Sequence, residues 1–323
     1  MPAVTASAPG KIILFGEHAV VYGQPAIAAP VSKLRARAVV APDVYAPSGR
    51  VHIQAPDIGL DASLDELADD HPLALTVRLV LAELGISNPP AFNIRVNSSI
   101  PLAAGMGSGA AVAVAMIRAV GGFLGKPLPL ERVSALAFEV EKLHHGTPSG
   151  IDNSVVSYEK PIYYQRGQPI QVLKVARPIS MVIADTGIHS STAQAVGDVR
   201  QAWSEQPEHY EELFSRIGEI SCTARRIIES GETQRLGALM DENHDLLQRI
   251  DVSSPELDLL VEAARQAGAW GAKLSGGGRG GNMIALVSPE FGQTVAQALC
   301  AQGAVQAILT EIRGAQEGEL DSF

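Results

Sequence analysis

Apolar residues recur at two spacings along this chain, every second position in short runs and every third or fourth in longer ones. Phe92, Ile94 and Val96 alternate with Asn93 and Arg95, the period of a half-buried strand. Leu34, Ala36, Ala38 and Val40 alternate with Arg35, Arg37 and Val39, predicting a strand with one wet face. Val51-His52-Ile53 predicts a continuation of that sheet. Lys11-Ile12-Ile13-Leu14-Phe15, a short apolar run between glycines, predicts a buried strand. Leu73, Val77, Val80, Leu81 and Leu84 share one helical face, and Gly85 stops that helix. Leu130, Val133, Leu136, Ala137 and Val140 form the buried side of another helix, from Pro129 to His144. Val112 to Val120 is small and apolar enough for a buried helix, and the Gly-rich stretch Ile100 to Ala111 opens it.

The second half follows the same logic. Ile162-Tyr163-Tyr164 and Ile170 to Leu173 predict a hairpin around Gly167-Gln168-Pro169. Ser180 to Ala184 predicts a strand, and a polar turn then leads into a long helical region reaching Ser230. Further helices are predicted over Thr233 to Arg249, Pro255 to Ala267 and Pro289 to Ala301, with a strand from Met283 to Val287. Asp57 to Pro72 is acidic and broken by Gly59, which predicts a surface loop with a helical turn. The alternation of helix and strand after Pro178 suits a small α+β sandwich. The expected domains are therefore 1–177 and 178–323.

Composition narrows the function. At 323 residues and 46% hydrophobic, the chain can bury a substantial core in two domains. Its net charge of −10 shows no basic stripe, which argues against a nucleic-acid partner. The cysteines, Cys222 and Cys300, have neither metal-ligand nor disulfide spacing, as in a reducing cytoplasm. Met1 to Thr5 has no basic or apolar leader pattern, and no apolar run is long enough to span a membrane. Cytoplasmic localisation, with no membrane partner, is the expectation.

Candidate chemistry gathers in glycine-rich turns. Gly105-Met106-Gly107-Ser108-Gly109-Ala110 at a helix start is either a phosphate cradle or a tight turn that binds nothing. The Walker pattern is absent. Lys11 starts a buried strand, where an ammonium is costly unless a carboxylate or phosphate pairs with it; the alternative is a lysine reaching solvent. His18, beside Glu17 at the strand's far end, is a ligand contact or a satisfied core imidazole. Asp152 is a helix N-cap or a carboxylate that accepts a proton. Ser191 and Thr192 could cap the helix after them or touch a ligand. A second glycine cluster runs from Gly271 to Gly281.

Taken together, these segments resemble the motifs of the GHMP kinases. The carriers are Ala8-Pro9-Gly10-Lys11 through Gly16-Glu17-His18-Ala19-Val20-Val21-Tyr22-Gly23, Glu141 through Asp152-Asn153, and Lys273 to Gly281. The first two are most similar to the branch acting on mevalonate. The resemblance spans nearly the whole chain. It implies an α+β GHMP kinase fold, with an N-terminal domain like ribosomal protein S5 domain 2 and a ferredoxin-like C-terminal α/β sandwich. It also implies ATP and Mg²⁺ as cofactors, mevalonate as the small-molecule substrate, phosphorylation of its 5-hydroxyl, and a homodimer.

Carried over by position, Asp152 is the catalytic carboxylate and Lys11 its cationic neighbour. Gly105, Met106, Gly107, Ser108, Gly109 and Ala110 wrap the nucleotide phosphates; Arg279, outside that carry-over, either contacts a nucleotide phosphate or faces solvent. Glu141 and Ser108 hold the metal. Glu17, His18, Ser149, Gly150 and Thr192 line the substrate site. Two positions depart from the family pattern: Ser108-Gly109 stands where a serine pair is usual, and Arg279 interrupts the final glycine run. Two other readings stay open at this point. One is a sibling kinase for phosphomevalonate or another small hydroxylated metabolite, and the other is a non-catalytic ligand sensor.

Overall fold

The computed structural model describes residues 2–101, 105–145 and 148–314. Leu102, Ala103 and Ala104 of the first glycine-rich stretch, and Gly146 and Thr147 of the segment before Asp152, lie outside the described residues. The chain divides into two compact units, each built from separated stretches. The first holds Met1–Gly10, Ser32–Pro101 and Gly107–Glu159; the second holds Lys11–Val31, Leu102–Met106 and Lys160–Phe323. The expected division into 1–177 and 178–323 follows chain order, whereas these units interleave.

The chain opens with β1 (Val4–Phe15) and β2 (Ala26–Pro42), both of which pass from one unit into the other. Then come β3 (Val51–Ala55), β4 (Leu60–Ser63), α1 (Pro72–Glu83), β5 (Phe92–Ser98), α2 (Ser108–Phe123), α3 (Leu130–His145) and α4 (Ile151–Tyr158). In the first unit β3 runs parallel to β5, with Ile53 opposite Ile94, and β4 runs antiparallel to β3. The later part of β2 runs antiparallel to β5, placing Ala38 opposite Val96 and Val40 opposite Ile94. The alternation read from the sequence is thus the pleat of one sheet, its apolar face buried. Helix α2 packs on α1, α3 and α4. Ala110, Ala111, Val114, Ile117 and Val120 are completely buried, as befits a helix with few polar positions. The acidic stretch before α1 does contain short helical turns, but it also forms β4.

The second unit continues with β6 (Ile162–Tyr164), β7 (Gln171–Val172), β8 (Ile179–Asp185), α5 (Thr192–Glu205), α6 (Pro207–Ser230), α7 (Leu236–Arg249), α8 (Pro255–Gln266), β9 (Gly271–Ser275), β10 (Asn282–Leu286), α9 (Gly292–Ala301) and β11 (Gln306–Ile312). The expected hairpin is present, with Ile162 opposite Val172. The long helical region to Ser230 is two helices. Gln206 breaks it at φ −135°, because the residue before Pro207 is disfavoured in the helical region. A four-stranded antiparallel sheet has the order β11-β8-β10-β9. That is the ferredoxin-like order expected for the C-terminal half. Helices α7, α8 and α9 pack on it. No described helix is long and apolar enough to cross a membrane.

Candidate active site

Strand register gathers polar residues at one edge of the four-stranded sheet. Asn282, which opens β10, lies opposite Asp185 at the end of β8 and opposite Ser275 at the end of β9. The glycine loop from Gly276 to Gly281 turns at this edge. Gly278 has φ +77°, and a Cβ there would sit 1.8 Å from the Val252 carbonyl oxygen, so only glycine fits. Neighbouring polar groups tie the loop down. Thr186 donates through its N–H (2.9 Å) and its hydroxyl (3.0 Å) to the Gly281 carbonyl. The Ser190 hydroxyl donates to the Gly278 carbonyl at 2.6 Å. Ser191 caps α5 by accepting from the Gln194 N–H at 3.2 Å. Thr192 is therefore not the cap, and its Oγ1 lies 2.7 Å from where a Cβ on Gly277 would be.

The latter part of β1 and the turn after it belong to the same unit. The Ile13 N–H donates to Ser275 Oγ at 3.1 Å, and that hydroxyl donates back to the Ile13 carbonyl at 2.9 Å. Lys11 is buried, and its N–H donates to the Met106 carbonyl at 2.9 Å. A Cβ on Gly276 would lie 3.8 Å from the Gly105 carbonyl oxygen. Gly105 and Met106 of the phosphate-loop candidate thus meet both the first motif and the second glycine cluster. Glu17 and Lys273 form an ion pair with no exposed side-chain surface on either partner. Burial raises the Glu17 pKa and lowers that of Lys273, and the attraction of each for the other opposes both shifts. Past His18 the chain turns through Ala19–Tyr22, and the Tyr22 ring stacks on Phe214 at 4.1 Å.

His18 is 6% exposed, and its Nε2 lies 3.0 Å from the Gly277 carbonyl oxygen. A carbonyl only accepts, so Nε2 carries the proton and Nδ1 is left as an acceptor. Burial is the largest influence on the ring, and it lowers the pKa to about 4; the Gly277 bond opposes this and the Arg279 charge adds to it. The imidazole is therefore neutral at physiological pH. Arg279 itself, read from the sequence as a phosphate contact or a solvated side chain, pairs with Asp198 on α5. Its Nε donates to the Asp251 carbonyl at 3.2 Å, and its N–H to the Val252 carbonyl at 2.8 Å.

The first unit supplies a different set. Gly107 caps α2 with φ +69° and no side-chain cap bond, and the first turn of α2 holds no acidic residue. Its leading N–H groups have no carbonyl within the helix to bond, which suits an anion. Glu141 on α3 is buried, and a Cβ on Gly109 would lie 3.5 Å from its Oε1. Gly109, where the resemblance implies a serine, thus faces the Glu141 carboxylate. Asp152 sits in the first turn of α4, whose N-cap is Gly150 at φ +91°, so capping does not account for the aspartate. Beside it, the buried Asn153 amide donates to the Ser134 carbonyl (3.1 Å) and hydroxyl (2.9 Å), fixing α4 to α3. Ser149 Oγ accepts from the Ile151 N–H at 3.3 Å.

Known proteins resemble this chain along most of its length. Residues 72–160 match the model of the GHMP kinases N terminal domain, and residues 224–305 that of the GHMP kinases C terminal domain. The chain is 40% identical to a mevalonate kinase of Thermococcus sibiricus over 96% of both chains. It is 38% identical to one of Pyrococcus horikoshii over 94% of both. The crystal structure of L. major mevalonate kinase in complex with R-mevalonate superposes with a TM-score of 0.82, at 32% identity and 96% coverage of each chain. The chain belongs to the GHMP kinase family.

As a GHMP kinase it is an enzyme that uses ATP. The residues expected at the site fall into two sets. Lys11, Glu17, His18, Gly105, Met106, Thr192 and Arg279 lie in the second unit; Gly107, Ser108, Gly109, Ala110, Glu141, Ser149, Gly150 and Asp152 lie in the first. Glu17, expected at the substrate, has its carboxylate wholly inside against Lys273. Sequence reasoning did not single out Lys273. The signal was available: like Lys11, it is an ammonium in an apolar strand, between Ala272 and Leu274, and such a charge requires a partner.

Proposed function

We propose that this GHMP kinase transfers the γ-phosphoryl group of ATP to the 5-hydroxyl of mevalonate, giving 5-phosphomevalonate and ADP. The observation that carries the reading is the match along the whole chain to the mevalonate-bound L. major enzyme. Phosphoryl transfer passes through a loose transition state, so the protein's work is positioning and charge stabilisation. The N-terminal turn of α2 takes nucleotide phosphate oxygens. Asp152 orients the substrate hydroxyl and receives its proton as the O–P bond forms. Lys11 balances charge during transfer. His18, fixed as the Nε2–H tautomer, offers Nδ1 to a substrate hydroxyl, with Ser149, Gly150 and Thr192 as further contacts.

The residues present fit Mg²⁺ bound together with nucleotide. Mg²⁺ is commonly held by one or two carboxylates plus substrate phosphates rather than by an all-protein cage. Glu141 is the carboxylate that would hold it, with the Ser108 hydroxyl as the candidate second ligand. The open side of Gly109 leaves room beside Glu141 Oε1. When bound, the cation neutralises charge on the transferring phosphoryl group. The assembly proposed is a cytoplasmic homodimer, which rests on the family resemblance; sedimentation at the mass of one chain overturns it.

The deciding experiment is an ADP-release screen with mevalonate, phosphomevalonate, homoserine and galactose, followed by NMR of the product. Turnover with mevalonate and a phosphate on its 5-oxygen is expected. Preference for phosphomevalonate identifies the sibling kinase, and ATP binding without turnover on any of the four identifies a sensor.

A further inference from the structure

The Glu17–Lys273 pair has no part in the transfer as described, yet it places two charges wholly inside the second unit. Neither side chain has exposed surface. Lys273 Nζ also donates to the Leu274 carbonyl, and Glu17 Oε2 has no hydrogen-bond partner among the described residues. Removing two charges from water is expensive, and a well-packed apolar pair of the same volume often holds a fold as well or better. Stability alone is therefore a poor account of these residues.

The backbone beside them supplies another. Gly16 has φ +96°, and a Cβ there would lie 2.5 Å from Ala26 Cα. His18 follows at φ +59°, ψ −50°. A residue with a Cβ in that region is strained and persists only when its surroundings hold it there. Two anchors do so. Glu17 is tied to Lys273 within β9, and the His18 ring to the Gly277 carbonyl just past the end of β9. Both anchors come from one continuous segment, which fixes the turn and the ring as a unit.

We propose that Lys273 is a positioning residue. Through Glu17 it holds His18 in the strained backbone conformation and the Nε2–H tautomer that present Nδ1 to the substrate. Which alcohol His18 meets rests on the mevalonate reading; the holding of His18 does not.

The test uses the full-length chain, the variant Glu17→Gln, and the double variant Glu17→Leu/Lys273→Met. Two-dimensional ¹H–¹⁵N spectra of the histidine rings, recorded without substrate, read the His18 tautomer. Wild type should show a single Nε2–H form, and both variants an averaged pattern. The KM for mevalonate should rise about tenfold in each, the size of one lost hydrogen bond, while the KM for ATP stays put. The double variant should melt close to wild type, because no charge is left buried alone. A retained Nε2–H pattern with a wild-type KM for mevalonate, in either variant, overturns the proposal. Should the double variant fail to fold, Glu17→Gln decides alone, since its amide keeps the shape of the side chain and removes the charge that ties it to Lys273. Wild type lacking mevalonate-dependent ADP release would sink the substrate assignment and leave the spectra to decide on Lys273.

Discussion

The two units equip their functional residues in opposite ways. In the first, Ser108 and Asp152 stand in the opening turns of α2 and α4, and Asp152 is only half-buried. In the second, Lys11, Glu17, His18 and Lys273 are all buried, with the side chains of Glu17, His18 and Lys273 joined to backbone or to one another. Helix starts present groups that must meet a ligand and change partners during a reaction. A sheet edge crossed by fixed bonds presents groups that should not move. On the proposed roles, the first unit carries the proton acceptor and the metal carboxylate, and the second a fixed template for the substrate together with the Lys11 charge. Substitutions in the first should cost turnover, and those in the second should cost folding or substrate affinity.

The largest effect should come from Asp152. Asp152→Asn should bind ATP normally and lose about 10²–10⁴-fold in kcat, the usual range for a positioned proton acceptor. Nucleotide binding by calorimetry beside single-turnover kinetics separates the two. A folded variant with near-normal turnover would remove Asp152 from the chemistry and weaken the contrast between the units. Next is Gly278→Ala. The Cβ would collide with the Val252 carbonyl oxygen at a position of φ +77°, so the glycine edge must shift. A loss of roughly 2–4 kcal/mol in unfolding free energy is expected, in the upper range for point substitutions. Unchanged denaturant midpoints would show the loop to be loose.

The first unit was the easier half to read from the sequence. Helices α1, α2 and α3 follow from apolar periodicity because each buries one broad stripe or its whole surface. Strand β5 follows from the alternation of Phe92, Ile94 and Val96. The start of β1 was illegible, since Thr5 to Gly10 carries small residues, Pro9 and Gly10 in place of an alternating pattern. Strand β4 hid in an acidic stretch whose strand character comes only from pairing with β3. Strand β9 was absorbed into a glycine cluster, and with it Lys273, because the partner that explains the charge lies far away in sequence. Residue type and motif spacing mark Lys11, His18 and Asp152 as candidates. Which carboxylate reaches outward and which is sealed inside depends on tertiary packing, and sequence pattern carries no such information.

His18 sharpens the contrast through pH. Its pKa is about 4 in the folded protein against an ordinary value of 6.5, so the native state favours the neutral ring. The unfolded chain binds the proton more readily. The stabilisation from this group is therefore complete above pH 6.5 and is lost as pH falls toward 4. The whole window is worth about 3 kcal/mol, because each tenfold change in proton affinity corresponds to about 1.4 kcal/mol. Urea midpoints measured from pH 7 to pH 4 in wild type and His18→Asn should diverge in that direction, with the wild type losing more. Parallel curves would mean that His18 titrates as a solvated ring. In the first unit, Glu141→Gln should shift the Mg²⁺ dependence of turnover to higher concentration, since a neutral amide is a poorer ligand for a hard cation. An unchanged titration would reject Glu141 as the metal carboxylate.

The smallest effect should come from Arg279, where the family's glycine run is broken. Its side chain is 30% exposed and engages that of Asp198, itself 46% exposed. Ion pairs in such surroundings contribute about 0.2–1 kcal/mol. With φ +57°, Arg279 occupies a conformation that glycine adopts at less cost, so the side chain must return something for its presence. What it returns is a tether from the glycine loop to α5 and to the turn at Asp251. If that is its role, Arg279→Ala and Asp198→Asn should raise the KM for ATP equally and by less than about fivefold, as about 1 kcal/mol allows. The double variant should then be no worse than either single one. A guanidinium that instead contacts phosphate would give a different pattern: Arg279→Ala would raise the KM for ATP, and Asp198→Asn, by releasing the arginine, would lower it. Opposite signs in those two variants would move Arg279 from the fixed template to the groups that change partners, and would place such a group in the second unit as well.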